Sequence, residues 1–375
     1  MSEVVIFEEL PSPSGHRIGI ATLNRPQTLN GLSLEMCQAL TQRLQTWKQD
    51  PTIAAILLRG AGDKVFCAGG DLHSLYRSMQ QNTSGNPWEN AYARQFFEVE
   101  YRLDHAIHTY PKPVICWGGG IVMGGGVGLM MGASHRVVTE TTRFAMPEIS
   151  IGLFPDVAGT WMLSRLPGGI GTFLALTGAQ LGASDCLHLG LADHTCPAGG
   201  QEALLSALAA VSWSTDASAH AAQLDAVLRG LSTDLARAAG PLQQNFAMLR
   251  EACHQSDFAL VCETIAAWST HPDPWLQRAA RTFSTGAPSS ARLAYTLLRR
   301  VRLMSLADVF REEYIVSLQC GVQGDFREGI RALLIDKDKS PKWNPGTHAQ
   351  ASAQWVERFF QTPWPIHTPH PLADL

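Results

Sequence analysis

No C-x-x-C pair occurs among the eight cysteines of this 375-residue chain. Thiol redox centres and most small zinc modules need that spacing, so the scattered thiols read as buried or free groups in a reducing compartment. Thirteen histidines are present, but none falls in H-E-x-x-H or finger spacing, so no metal site is expected. A G-x-S-x-G elbow is missing, which disfavours an α/β-type serine hydrolase. G-x-x-x-x-G-K-[ST] is absent, and no G-x-G-x-x-G stands where a strand hands over to a helix, so P-loop and dinucleotide readings are weak. Every apolar run falls short of the roughly 18 residues a membrane-spanning helix needs. Positive charge is scarce too: 29 Lys+Arg face 33 Asp+Glu, for a net charge of -4. A broad field for nucleic acid or anionic membrane is therefore excluded, and an anionic ligand must be held by local groups. The opening MSEVVIFEEL is acidic and lacks the basic and apolar regions of a signal peptide, so the expected location is cytoplasmic.

What is present is an ordinary globular composition, 45% hydrophobic, with charged residues at only 17%. The length suggests two domains, or one core with a large appendage. Through about residue 200, short β-rich runs alternate with helical runs and glycine-rich loops. Val4–Glu8 and Arg17–Leu23 predict a hairpin. Ser33 predicts the cap of an amphipathic helix carrying Leu34, Cys37, Leu40, Leu44 and Trp47. Ile53–Leu58 is a continuous apolar run of the kind buried in a parallel sheet. A helix around Arg94–His108 and strands at Pro113–Trp117, Arg136–Val138 and Arg143–Ala145 follow. Beyond the loop with Pro197, Gly199 and Gly200, Ala- and Leu-rich helices dominate. The expected domains are therefore 1–200, a strand–helix core, and 201–375, a helical C-terminal region. Periodicity alone points to an α/β doubly wound sheet.

Three segments stand out for chemistry. Phe66-Cys67-Ala68-Gly69-Gly70-Asp71-Leu72 and the glycine-rich run Gly118–Gly128 each follow a strand. Together such loops suit an oxyanion hole, because backbone N–H groups at a helix N-terminus are fixed in advance. Tight helix-on-sheet packing is the plainer alternative. The third segment, Ala145 to Gly159, carries Glu148 and Asp156 eight residues apart among apolar side chains and prolines. Carboxyls in such surroundings lose solvation and move toward useful acid–base values. The plainer alternative for Asp156 is a helix cap. Cys67 and Cys116 read as buried thiols, and the Lys337, Lys339 and Lys342 cluster as a solvated face.

FCAGGDL, GGG-x-x-MGGGVGL and AMPE-x-x-IGLFPDVAG together resemble the crotonase (enoyl-CoA hydratase/isomerase) superfamily. The stretch Asp325–Trp343 is similar to its 3-hydroxyisobutyryl-CoA hydrolase branch. The resemblance runs from Val4 to about Pro345. It implies an α/β fold with a ββα spiral core in two sheets and a helical C-terminal region. It implies an acyl-CoA substrate whose thioester oxygen sits between the N–H groups of Gly70 and Gly125. Glu148 matches the catalytic glutamate, Asp156 the second carboxylate of the hydrolase branch, and Glu100 a substrate-contacting glutamate. Arg25 lies where the family's first loop approaches CoA. No cofactor is implied beyond the CoA of the substrate, and a homo-oligomer is left open.

Enoyl-CoA hydratases use two glutamates, the first two residues after the last glycine of the triplet. Here Gly128 stands at that position, so one acid–base partner for hydration is missing. The expectation is hydrolysis of a short branched 3-hydroxyacyl-CoA, by attack of Glu148 on the carbonyl or by its activation of water. Hydration or isomerisation of an enoyl-CoA is the alternative, and a non-catalytic CoA-binding protein is a further one.

Overall fold

A computed structural model describes residues 3–234 and 238–375. Its strands are β1 (Val5–Pro11), β2 (Arg17–Leu23), β3 (Ile53–Gly60), β4 (Val65–Cys67), β5 (Val114–Gly118), β6 (Ile121–Met123), β7 (His135–Val138), β8 (Arg143–Ala145) and β9 (His194–Thr195). β1 and β2 form the expected antiparallel hairpin, with Val5 opposite Leu23. β1 is an edge strand, and Glu8 and Glu9 keep it charged, which discourages pairing with another chain. β2 and β3 are buried almost throughout, as their unbroken apolar runs predict.

The strands fall into two sheets, a six-stranded one in the order β1-β2-β3-β5-β7-β9 and a three-stranded one in the order β4-β6-β8. From β3 onward, successive strands go alternately to the large and the small sheet. Every pairing given for the large sheet after the hairpin is parallel. A doubly wound sheet reverses its strand order at a switch point. Here the order only advances, so the core is a ββα spiral and the doubly wound expectation is corrected. β4 and β6 have three residues each, too few to show a period of two in the sequence.

The chain forms two compact units, each built from three segments. One comprises Met1–Gly70, Leu103–Phe144 and Leu181–Gln244; the other comprises Asp71–Arg102, Ala145–Gln180 and Asn245–Leu375. In the first, Ile18, Ile20, Leu57, Ile115 and Val137 from the large sheet pack with Leu204, Leu208, Trp213, Leu224 and Leu228. The Leu34–Gln49 helix is capped by Ser33, whose Oγ accepts the Met36 N–H at 3.2 Å. Its buried face carries Met36, Cys37, Leu40, Leu44 and Trp47, so Met36 takes the place expected of Leu34, which is only half-buried.

The second unit is mainly helical. Phe173 stands between Trp268 and Trp275, at centroid distances of 5.9 and 5.3 Å. Burying each aromatic of this kind stabilises by about 2–3 kcal/mol relative to leaving it exposed. No strand follows Thr195 among the described residues. All eight cysteines are buried and none forms a disulfide, and among the described residues no helix is long and apolar enough to cross a membrane.

Candidate active site

The first unit holds both glycine loops. β4 runs into a turn in which Gly69 has φ 106°, a region that favours glycine. The turn is pinned by the Leu32 N–H, which donates to the Gly69 carbonyl at 2.8 Å, and Gly70 forms a bridge with Leu32. The second loop turns at Gly124 and opens the eight-residue helix Gly125–Gly132. The first bonds back to the Gly124 carbonyl come from Val127 and Gly128, so the Gly125 and Gly126 N–H groups lie ahead of the helical ladder. A Cβ on Gly69 would lie 3.9 Å from the Gly125 nitrogen, so the two loops meet. A Cβ on Gly126 would lie 2.4 Å from the Cys67 carbonyl oxygen, so this helix seats on β4 only if that residue is glycine. Packing and donor presentation are therefore served by the same residues. Gly70 follows the first turn and Gly125 opens the helix, with the N-terminal end of the helix dipole behind Gly125.

The second unit holds the carboxylates. Glu148 begins a short 3-10 helix, Glu148–Ile151, and is 4% exposed. Its Oε2 is buried without a hydrogen-bond partner. Burial first, and then the charge of Asp156, hold its carboxyl well above the usual range. The segment that bears it is braced from several sides. The Ile149 carbonyl accepts the Ala287 N–H at 2.9 Å. A Cβ on Gly329 would fall 2.3 Å from the Ile151 carbonyl group, so the Phe326–Ile330 helix rests directly on this turn. Asp325 holds that arrangement by accepting from Ser289 Oγ at 2.5 Å and from the Asn344 N–H at 2.8 Å. The Asp325–Trp343 stretch that sharpened the family resemblance thus supports the Glu148 turn. Lys337, Lys339 and Lys342 lie exposed, as expected.

Asp156 is 6% exposed and accepts a hydrogen bond from the Tyr101 hydroxyl at 2.8 Å. Tyr101 Oη also lies 2.7 Å from Ser317 Oγ. Asp156 does not cap the helix that follows it. That helix, Gly159–Ser164, has Ala158 as its N-cap; the Gly159 N–H donates to the Asp156 backbone carbonyl, and the N–H groups on either side of it go to Glu313. The Glu313 carboxylate accepts the Ala158 N–H at 2.7 Å, the Thr160 N–H at 3.2 Å and the Thr160 hydroxyl. Val157 and Ala158 both adopt left-handed backbone, φ 53° and 62°, which is costly for residues with a Cβ. The distant glutamate holds that strained turn in place. Burial raises the Asp156 carboxyl to about 6 against the lowering effect of Tyr101. Burial also raises Glu313 to about 8, with Asp156 adding to the rise.

Glu100 is 2% exposed on the Ala91–His108 helix, one residue before Tyr101. The structure therefore places Glu100, Glu148 and Asp156 in one unit and brings the latter two into electrostatic contact. Sequence reasoning missed Tyr101, Ser317 and Glu313. A signal for Glu313 existed: Phe310, Glu313, Ser317 and Cys320 repeat at the spacing of a buried helical face, where a glutamate is out of place without a partner. Cys67 and Cys116 are buried, and burial pushes the Cys116 thiol far up, so neither reads as a nucleophile. Arg25 is half-buried, and its own N–H donates to Asn30 Oδ1 at 2.9 Å. Among the described residues no group of three or more His, Cys, Asp or Glu is placed to hold a metal ion.

Residues 18–360 match the enoyl-CoA hydratase/isomerase family. Several relatives carry the name 3-hydroxyisobutyryl-CoA hydrolase. One from Danio rerio is 37% identical, with 96% of this chain and 89% of that protein covered. One from Arabidopsis thaliana is 35% identical, covering 95% and 91%. A solved structure named as a carnitinyl-CoA dehydratase from Mycobacterium thermoresistibile is 35% identical, covers 100% of this chain and 99% of its own, and superposes with a TM-score of 0.85. One named as an enoyl-CoA hydratase from Rhodobacter sphaeroides is 31% identical, covers 96% and 97%, and gives 0.82. Spiral topology, glycine loops, paired carboxylates and these likenesses agree: the chain belongs to the enoyl-CoA hydratase/isomerase (crotonase) family and groups with its 3-hydroxyisobutyryl-CoA hydrolases.

Proposed function

We propose that this chain hydrolyses a short branched 3-hydroxyacyl-CoA, with 3-hydroxyisobutyryl-CoA as substrate and 3-hydroxyisobutyrate and CoA as products. The observation that carries the reading is the buried Glu148–Asp156 pair; in the sequence, Gly128 supplies no group with which to serve hydration. The names of the relatives support the same acyl group. The N–H groups of Gly70 and Gly125 receive the thioester oxygen as it gains charge. In the covalent route a Glu148 oxygen bonds to the carbonyl carbon, the C–S bond breaks, and the CoA thiolate leaves and takes up a proton. Water then cleaves the mixed anhydride and restores Glu148. In the general-base route Glu148 takes a proton from water, which attacks the same carbon; the C–S bond then breaks and the departing CoA thiolate takes up that proton, restoring Glu148. Asp156 orients the substrate hydroxyl or the water and passes the proton. Glu100 contacts the substrate.

The reading carries with it valine breakdown as the setting, no cofactor beyond the CoA of the substrate, and a core of residues 1–200 followed by a helical region, 201–375. It also carries a cytoplasmic location, although several of the relatives are named mitochondrial. The same reading leaves a homo-oligomer open, and sedimentation velocity decides it. The decisive assay is free-thiol release from 3-hydroxyisobutyryl-CoA, with Glu148→Gln as control. Fast release that falls by about a thousandfold in the variant is expected. No release, or equal release, removes the assigned reaction.

Hydration or isomerisation of an enoyl-CoA is the second reading, favoured by the names of the two solved structures. Conversion of a 2-enoyl-CoA faster than thiol release would decide for it.

A further inference from the structure

Tyr101 is fully buried, and a phenol hydroxyl out of water costs stability unless it is bonded. Its ring packs between Phe97 and Phe310, with centroids at 5.8 and 5.7 Å. A phenylalanine would fill that space equally well. What the hydroxyl adds is the pair of bonds to Asp156 at 2.8 Å and Ser317 at 2.7 Å. These three groups come from separate elements: the Ala91–His108 helix, the loop before Gly159, and the Leu306–Gln323 helix. We propose that Tyr101, with Ser317 behind it, is a positioning residue for the thioester chemistry, fixing the Asp156 carboxyl in the orientation from which it acts.

The chain of three groups works in both protonation states. With Asp156 ionised, Ser317 donates to Tyr101 and Tyr101 donates to Asp156. With Asp156 protonated, the order reverses: Asp156 donates to Tyr101, and Tyr101 donates to Ser317. Each state is satisfied by rotating hydroxyl hydrogens alone, so Asp156 can gain and lose a proton in turnover without a heavy atom moving. Tyr101 is not itself an acid or base here. Burial, and then the charges of Asp156, Glu313 and Glu100, keep its phenol protonated far above its ordinary range. Asp156 is faced by Glu148 from its own segment, by Tyr101, and by Glu313 and Cys320 from the Leu306–Gln323 helix. Among these groups, all acids or neutral at pH 7, the tyrosine is the one that donates to the ionised form.

The kinetic arm of the test rests on the hydrolase reading; the titration arm does not. In Tyr101→Phe, kcat for 3-hydroxyisobutyryl-CoA is expected to fall about 10- to 100-fold with KM within about twofold. Removing a donor from a carboxylate raises its pKa, so the acid limb of the pH–rate profile is expected to move up by about one pH unit. Ser317→Ala should shift the limb the same way by less. A merely structural tyrosine would lower Tm and the active fraction while leaving the limb in place, and that result overturns the proposal. If Tyr101→Phe does not fold, Ser317→Ala decides, and an unmoved limb there counts against it. If the wild-type protein releases no thiol, the hydrolase reading fails, and the second arm stands alone. 13C-carboxyl NMR of aspartate-labelled protein, assigned with Asp156→Asn, should show the Asp156 midpoint higher in Tyr101→Phe, or in Ser317→Ala if the former is unfolded. An unchanged midpoint ends the proposal.

Discussion

A carboxyl group taken out of water keeps its proton unless something nearby prefers the charge. Glu148 and Asp156 meet that problem differently. Glu148 has an unpartnered Oε2, whereas Asp156 has a phenol donating to it. Burial raises both carboxyls, Asp156 to about 6 against the phenol's lowering effect and Glu148 well above its ordinary range. Activity that needs Asp156 ionised should rise through a limb near pH 6. In Asp156→Asn that limb should vanish and kcat should fall by at least about tenfold. A limb that persists in this variant assigns it to another group. Glu148, Asp156 and the two glycines were legible as candidates because each belongs to a short run with a distinct composition. Tyr101 was not, because a tyrosine in an aromatic helix face looks like any core residue until its hydroxyl has a partner.

Short helices are where this fold spends backbone strain. The Gly159–Ser164 helix begins after two left-handed non-glycine residues and takes its cap from Glu313, more than 150 positions away in the sequence. Local sequence holds no sign of that cap, and the alternative reading of Asp156 as the cap does not hold, because its side chain bonds Tyr101 instead. Longer elements with local signals were legible. The Ser33 cap, the second strand of the first hairpin and the strand at Arg143–Ala145 appear where the pattern puts them, while the first strand of the hairpin runs three residues past Glu8, to Pro11. Glu313 also carries a pH signature. Its carboxyl is raised from 4.5 to about 8, so its contribution to stability is fully present below pH 4.5 and is lost as the pH rises toward 8. Glu313→Gln has no such group. The Tm of the wild type should therefore decline relative to the variant between pH 5 and 8, and two parallel Tm curves across that range would contradict the assignment.

Across the whole molecule the sequence yielded composition, α/β class and the change to all-helical chain near residue 200. The spiral was not legible in periodicity, because alternation between sheets depends on strands of three residues. It entered through the family resemblance alone. Eight thiols buried without a disulfide make a further expectation. A thiol reagent added to native protein should react slowly, and all eight groups should appear in denaturant; several fast groups in the native state would mean a looser fold. Gly126→Ala tests the packing of the small sheet. Its Cβ meets backbone at 2.4 Å, so a loss of stability of about 2 kcal/mol or more is expected in a urea titration.

The advancing strand order also bears on how the chain is assembled in time. After the first hairpin, two of the pairings in the large sheet join residues far apart in the sequence: Ile56 with Val114, Val137 with His194. Long loops must close before such pairs form, so refolding from urea should take a second or more, with tryptophan fluorescence as the probe. On the ribosome the same topology is an advantage. Each new strand finds its edge already laid down, so the spiral can wind from the N-terminus one turn at a time, and the helices that brace Glu148 arrive last.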